Sequence, residues 1–376
     1  MSAPSARPLR IGITCYPTYG GSGIVATELG MELAARGYEV HFITYSNPIR
    51  LDPGLPRISY HEVEVSSYPL FQYPPYDLAL ASRMVEIAEW QQLDLLHVHY
   101  AIPHATAAFL ARSMLREKRR LPFVTTLHGT DVTLVGSDKS YLPVTRFSIE
   151  ESDGVTAISE YLKQQTYEAV GARKEIRVIY NFVNCDLYRM AKHPHEGRPR
   201  LLHISNFRPV KRAPDCVRIL ARAREAVDCE LWMAGDGPDR GAAERLAFEL
   251  GVHEHVRFLG KQDHIERLIP QCDVLLLPSQ LESFGLAALE AMACGVVPVA
   301  TRAGGLPELI THGQNGFLEQ AGDTDAQAAR VVELLEDRDL YNRMRWAART
   351  TAEERFCTSL IIPQYEAFYR EVIAAG

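Results

Sequence analysis

At 376 residues the chain has room for two or three domains, two being the better fit, and each half is long enough to bury its own core. Lys and Arg number 40 against 47 Asp and Glu, and the resulting net charge of −7 argues against a general nucleic-acid or membrane-surface binder, since both rely on a basic field. With 47% hydrophobic and 23% charged residues, no apolar run of about 18 residues and no signal-like apolar stretch at the N-terminus, a globular, cytoplasmic protein is expected.

A β-α-β rhythm begins at once. Residues 9–15 read as a buried strand, followed by the glycine-rich Tyr19-Gly20-Gly21-Ser22-Gly23 and a helical pattern from Ile24 to Arg36 that stops at Gly37. Gly21-Ser22-Gly23-Ile24-Val25-Ala26 fits the dinucleotide fingerprint G-x-G-x-x-G/A, but the next strand, at 38–44, ends without the acid that would hold a ribose. What remains is either a tight turn alone or a helix N-terminus offering N–H groups and a positive dipole end to an anion. Further strands are expected at 93–97, 123–127, 155–158 and 176–179, with helices between most of them, which implies a parallel sheet covered on both faces. After the strand at 123–127 comes Thr126-Leu127-His128-Gly129-Thr130-Asp131, where glycine lets a ligand approach the backbone; a lone His in such a loop is also commonly structural.

Residues 184–199 are polar, contain Pro194, Gly197 and Pro199 and show no apolar period, so they read as an interdomain linker. The rhythm restarts with strands at 201–205, 231–235, 256–259, 274–277 and 296–300, and with helical patterns from Ala213, Arg240, His264 and Phe284. The tail from Asp323 is helical in pattern with a break near 357–363. Domains are therefore set at 1–185 and 186–359, with a terminal helix at about 360–376 packing back on the first. Two such α/β domains would place a cleft between the carboxyl ends of their strands.

Asn206-Phe207-Arg208-Pro209-Val210-Lys211 follows the first strand of the second half. Arg208 and Lys211 there either neutralise a diphosphate or form a solvated basic turn. The most specific element is Glu282-Ser283-Phe284-Gly285-Leu286-Ala287-Ala288-Leu289-Glu290, with Ser283 as the expected N-cap and Cys294-Gly295 as the helix end. Taken as one helix, it separates the two acids by about 12 Å along the axis and buries Glu290 among apolar neighbours, a costly placement unless the carboxylate has a partner. The seven cysteines are scattered without a C-x-x-C, so reduced thiols are expected, with neither a zinc site nor a disulfide framework. There is no D-x-D at a strand end and no His or Cys cluster, so no metal and no cofactor is expected.

The E-x7-E of Glu282 and Glu290 with its S-F-G-L, the loop at Gly20-Gly21, Arg208 with Lys211, Gly235-Asp236-Gly237-Pro238 and Gly304-Gly305-Leu306-Pro307-Glu308 together resemble the retaining glycosyltransferases of family four over nearly the whole chain. That resemblance implies the GT-B fold, two Rossmann-like doubly wound parallel-sheet domains. Tyr16-Pro17, Gly20-Gly21-Ser22-Gly23, Tyr73-Pro74-Pro75-Tyr76-Asp77-Leu78, His99-Tyr100-Ala101-Ile102-Pro103-His104 and Thr125-Thr126-Leu127-His128 are similar to a narrower group. Its members move N-acetylglucosamine from UDP-N-acetylglucosamine (UDP-GlcNAc) to L-malate in the first step of bacillithiol biosynthesis.

The resemblance also implies roles. Glu290 would bind the ribose, Glu282 the transferred sugar, and His128 would lie beside the sugar ring. Phe284, Gly285 and Leu286 would meet the diphosphate through backbone N–H groups, with Arg208, Lys211 and Gly21; Gly20 and Asn206 belong to the same donor site. A dicarboxylate acceptor calls for donors, for which Arg146 is the leading choice, joined by Ser22, Tyr100, Thr130 and Asn181; a plain surface role for Arg146 stays open. A homodimer is suggested, with no nucleic-acid or membrane partner. The alternatives are the same fold with another acceptor (an inositol phosphate or a glycan), a non-catalytic nucleotide-sugar sensor, and a nicotinamide dehydrogenase weakened by the missing acid.

Overall fold

A computed structural model describes residues 7–52, 54–65, 72–133, 138–191 and 197–375. Residues 1–6, at the leaderless N-terminus expected from the sequence, and 192–196, with Pro194 of the expected linker, lie outside these. The chain divides into two compact units, Met1–Tyr180 with Ile361–Gly376, and Asn181–Leu360.

The first unit holds a parallel sheet of β1 (Arg10–Thr14), β2 (Glu39–Thr44), β3 (Ile58–Glu62), β4 (Leu95–His99), β5 (Phe123–Leu127), β6 (Gly154–Ala157) and β7 (Ile176–Val178), ordered β3-β2-β1-β4-β5-β6-β7. The second holds β8 (Arg200–Ser205), β9 (Glu230–Gly235), β10 (Val256–Gly260), β11 (Val274–Leu277), β12 (Val297–Thr301) and β13 (Phe317–Glu319), ordered β10-β9-β8-β11-β12-β13 and also parallel. Central strands such as β4, β5, β11 and β12 are buried along their whole length, as a sheet covered by helices on both faces requires. The two strands that the sequence pattern missed, β3 and β13, are edges. β3 is Ile-Ser-Tyr-His-Glu and only half-buried, and β13 spans three residues, so neither presents a continuous apolar run.

The division between units falls at 180/181 rather than 185/186, because the intervening segment is tied into the second unit. Val183 pairs with Cys357 in a short parallel bridge, with Val183 N–H donating to Phe356 O at 2.9 Å and Thr358 N–H to Val183 O at 3.1 Å. A disulfide joins Cys185 to Cys357, against the expectation that all cysteines are reduced thiols; Cys15, Cys216, Cys229, Cys272 and Cys294 are free and buried. Their spacing hid the pair, since 172 residues separate its members and folding alone brings the two segments together. The start of the expected linker is likewise structured: Asn184 caps a turn by accepting N–H groups from Asp186 (3.0 Å) and Leu187 (3.1 Å), and Tyr188 is fully buried.

In the tail, helices Thr324–Glu336, Arg338–Arg355 and Thr358–Ala374 are broken at Asp337 and at residues 356–357, and Pro363 lies inside the last of them rather than at a break. From Ile361 that helix belongs to the first unit, where the ring of Phe368 lies against Gly154, at which a Cβ would come within 2.6 Å of it.

Candidate active site

In the second unit the order of connection reverses between β8 and β11, so the loops leaving their carboxyl ends diverge and leave room for a ligand. The loop after β8 carries Asn206, Arg208 and Lys211; the loop after β11 carries Ser279, Glu282 and the turn into the helix Leu286–Ala293. Lys211 Nζ donates to Glu282 Oε1 at 2.7 Å, and the Ser279 hydroxyl donates to the same oxygen at 2.8 Å. Both members of the ion pair are largely withdrawn from solvent, at 22% and 11% side-chain exposure. Arg208 is exposed and, among the described residues, forms no ion pair, which leaves its guanidinium for an external anion.

The helix does not begin where the sequence suggested. Gly285, at φ +100°, is the cap in place of Ser283, and the first helical residue is Leu286. Glu282 therefore stands in the turn ahead of the helix, and the separation of about 12 Å reckoned from helical rise does not apply. A glycine cap brings no acceptor of its own, so the leading N–H groups keep their partial positive charge for another partner. Phe284 is buried beneath the turn and anchors it.

Two glycine-rich loops brace the site from behind. A Cβ on Gly304, at φ +59°, would stand 1.8 Å from the Glu282 carbonyl oxygen, and one on Gly235, at φ +124°, would stand 1.8 Å from that of Ser205. Only glycine permits these backbone contacts. Beneath the Ser205 turn, His203 Nδ1 meets Leu276 O at 3.0 Å and its Nε2 meets Ser205 Oγ at 2.8 Å, while Ser205 Oγ accepts the Phe207 N–H at 3.1 Å. Burial lowers His203 to about 4, so it is neutral; the network then places its proton on Nδ1 and lets the serine hydroxyl donate to Nε2. Among the described residues the buried Asn206 side-chain oxygen has no hydrogen-bond partner, nor has that of Asn181 at the start of this unit. Glu290, the second acid of E-x7-E, is 6% exposed and has the partner its burial demands: the Tyr188 hydroxyl donates to its Oε1 at 2.6 Å.

In the first unit the reversal lies between β1 and β4. Here Gly20 caps the helix Gly21–Ala35 without a side-chain acceptor, and Ser22 in its first turn shares a hydrogen bond of 2.9 Å with the Tyr100 hydroxyl, which also meets Thr130. His128, at the end of β5, pairs through Nε2 with His99 Nδ1 at 2.8 Å, the two rings stacked at 5.0 Å. Behind them His97 sits between the Tyr369 hydroxyl on Nδ1 and Thr126 Oγ1 on Nε2, each at 2.7 Å. Asp131 fixes the loop by accepting N–H groups from Gly129 (2.9 Å), Ala101 (3.1 Å) and His128 (3.2 Å). Burial pushes His128 and His97 down to about 3 and His104 to about 4. These imidazoles are neutral at neutral pH, so His128 is a hydrogen-bonding group and not a cation. Arg146 is exposed, donates its Nε to Val170 O at 2.7 Å and lies beside Gly171; these contacts do not bring it to Ser22, Tyr100 or Thr130.

Sequence reading missed four residues on which this geometry depends. Tyr188 and Glu290 are 102 positions apart, and no local pattern links them. Ser279 lies three residues before Glu282, in the loop just past the apolar strand β11; His99 is hidden in a buried strand. Asp131 alone had a readable signal, because a carboxylate two or three residues after an H-G pair is placed to take up the loop's N–H groups.

The family model for Glycosyltransferase Family 4 matches residues 19–187, and that for Glycosyl transferases group 1 matches residues 188–351. The chain is 48% identical over 373 residues to N-acetyl-alpha-D-glucosaminyl L-malate synthase of Bacillus anthracis, covering 97% of each chain. The chain belongs to glycosyltransferase family 4. An uncharacterized glycosyltransferase of Methanocaldococcus jannaschii is 27% identical over 86% of the chain and 87% of its own length. Among solved structures, Anabaena HepE in complex with UDP and glucose superposes with a TM-score of 0.81 at 22% identity, over 96% of this chain and 99% of that one. Sucrose-phosphate synthase from Thermosynechococcus elongatus gives 0.77 at 23% identity, over 98% and 100%. The fold of this family-4 chain is therefore GT-B, two Rossmann-like parallel-sheet domains, and its enzymatic class is glycosyltransferase.

Proposed function

We propose that this enzyme transfers N-acetylglucosamine from UDP-GlcNAc to the hydroxyl of L-malate with retention of the anomeric configuration, as the first step of bacillithiol biosynthesis in the cytoplasm. The observation that carries the proposal is the 48% identity, over 97% of both chains, to the Bacillus anthracis L-malate synthase. The second unit's chemistry supports a nucleoside diphosphate as leaving group. Arg208, Lys211 and the N–H groups of Phe284, Gly285 and Leu286 offer fixed positive charge to a diphosphate whose negative charge grows as the sugar departs, and fixed donors need no reorganisation at that moment. Glu290 accepts from the ribose and Glu282 from the sugar hydroxyls. In the first unit Gly20, Gly21 and Ser22 present a helix N-terminus, and Ser22, Tyr100 and Thr130 form one hydrogen-bonded group suited to the acceptor. Arg146 and Asn181 complete the acceptor set, and neutral His128 donates or accepts a hydrogen bond at the sugar.

Retention through a covalent glycosyl–enzyme intermediate is disfavoured by the state of Glu282. Two donors already hold its Oε1, one of them a lysine ammonium, which stabilises the carboxylate's charge and blunts its attack. Attack by the malate hydroxyl on the face the diphosphate leaves, with the phosphate taking the proton, uses the groups present. Because side-chain cations and a helix N-terminus supply the charge on the diphosphate, activity persists in EDTA. The test is incubation of the purified protein with UDP-GlcNAc and a panel of acceptors including L-malate, inositol phosphate and a glycan. Released UDP is measured, and the product anomer is assigned by NMR. Malate-dependent release of UDP with an α-linked product is the expected result; release with another acceptor alone, binding without turnover, or a β-product overturns the proposal.

A further inference from the structure

We infer that Tyr188 is a positioning residue which locks the Glu290 carboxylate for the ribose hydroxyls and so sets the site's preference for a ribonucleotide over a deoxyribonucleotide donor; this rests on the donor site proposed above. The Tyr188 hydroxyl donates to Glu290 Oε1 at 2.6 Å, the short distance of an O–H donor on an ionised oxygen. Both residues are buried, Tyr188 at 1% and Glu290 at 6% exposure, so the bond is sheltered from competing water. Tyr188 is itself held rigidly. Its N–H donates to Asn184 O at 2.9 Å, within the turn that the Asn184 side chain caps. Its carbonyl accepts from Arg349 Nη1 at 2.5 Å; the same guanidinium reaches the Cys185 carbonyl at 3.1 Å and the Ala293 carbonyl at the end of the helix that carries Glu290. One guanidinium thus joins the turn bearing the phenol to the helix bearing the acid.

A glutamate side chain has three rotatable bonds, and ordering it on binding opposes affinity. Tyr188 removes that freedom before a ligand arrives. A rigid, desolvated carboxylate discriminates sharply, because a nucleotide lacking a ribose hydroxyl leaves a buried charged acceptor unmatched. A carboxylate released from the phenol can rotate away or take on water, and the mismatch then costs little. Tyr188 therefore contributes to the ratio of affinities for UDP and 2′-deoxy-UDP more than to the affinity for uracil or diphosphate, which both ligands share.

The experiment is calorimetric titration of the full chain with UDP and with 2′-deoxy-UDP, for the native protein, Tyr188→Phe and Glu290→Gln. Tyr188→Phe is expected to weaken UDP about tenfold, the usual effect of one hydrogen bond to a charged group, and 2′-deoxy-UDP by less than about threefold. Equal weakening of both ligands, or of neither, assigns Tyr188 to packing alone and overturns the inference. Should Glu290→Gln remove the ribose preference while Tyr188→Phe retains it, the inference fails and the donor site stands; should UDP not bind the native protein, the donor site itself fails. A second measurement needs no variant that must fold. With 3-fluorotyrosine at position 188, the fluorine NMR signal is expected to shift on adding UDP and to shift less with 2′-deoxy-UDP, and an identical response to both overturns the inference.

Discussion

In the first unit β1 lies between β2 and β4, and in the second β8 lies between β9 and β11, so each sheet reverses its connections at the same place. The chemistry offered there differs. The second unit sets a partly buried Lys211–Glu282 pair, an exposed Arg208 and a glycine-capped helix around its reversal point. The first sets neutral imidazoles and hydroxyls, His99 with His128, His97 with Tyr369, and Ser22 with Tyr100. The cause lies in the strands behind the loops. β4 reads Leu-Leu-His-Val-His and places two histidines in the core, whereas β11 is Val-Leu-Leu-Leu and leaves polarity to the loop. One topology thus carries an ionic cluster at one reversal point and an uncharged, hydrogen-bonded cluster at the other; the residues and not the fold decide which.

The largest test of this contrast is Lys211→Met. Loss of the cation proposed to face a leaving diphosphate is expected to lower kcat by about 10²–10³-fold, since a preorganised charge of this kind contributes several kcal/mol to the transition state. The variant also removes one of the two donors on Glu282 Oε1, so the carboxylate proposed to hold the sugar loosens as well. Rates of UDP release at saturating donor measure it; a loss smaller than about fivefold would mean that the second unit's charge is not what stabilises the leaving group.

Acid separates the units by a different property. His97 and His128 are held down to about 3 and His104 to about 4, all by burial. A histidine with a depressed native value remains neutral in the fold but protonates in the unfolded chain below its ordinary value near 6.5, so stability is complete above that pH and is lost as the pH falls toward 3. Each such group removes about 1.4 kcal/mol per pH unit within that window. Asp131 opposes them, because burial raises it and the fold takes up its proton more readily than the unfolded chain. In the second unit His203 is the counterpart, lowered to about 4. Between pH 6.5 and 5 the first unit should therefore lose amide protection sooner than the second in pH-dependent hydrogen exchange. Equal slopes in the two sheets would show that the imidazole cluster does not distinguish them.

How much of this could be read in advance follows the range of the interactions. Central strands were legible because a sheet covered on both faces forces continuous apolar runs, and eleven of the thirteen strands among the described residues were placed to within a few residues; β3 and β13 escaped because an edge imposes no such run. The residues Arg208, Lys211, Glu282 and Gly285 were legible as a spacing near a strand end, but the helix start was not. Ser283 satisfies a local capping rule, while Gly285 is selected by close packing, since a Cβ there would come within 2.5 Å of Leu306, a contact formed only on folding. The same limit hid Tyr188 beside Glu290 and Cys185 beside Cys357, pairs separated by 102 and 172 residues. Local rules see the loop; they do not see what the loop is pressed against.

The smallest expected effect falls on Arg146 and sharpens the contrast at its weakest point. A dicarboxylate acceptor in a site of neutral imidazoles and hydroxyls still requires a cation, and Arg146 is the proposed one, although its Nε is engaged by the Val170 carbonyl at 2.7 Å and the side chain is exposed. An exposed guanidinium acts through solvent and is screened, so its contribution is on the order of 1 kcal/mol or less. Arg146→Ala is therefore expected to raise the malate KM about three- to fivefold at low salt, with the difference shrinking as ionic strength rises, and to leave the UDP-GlcNAc KM unchanged. Equal changes in both constants would assign Arg146 to holding the 170–171 turn and leave the acceptor's charge to the helix N-terminus at Gly20-Gly21-Ser22.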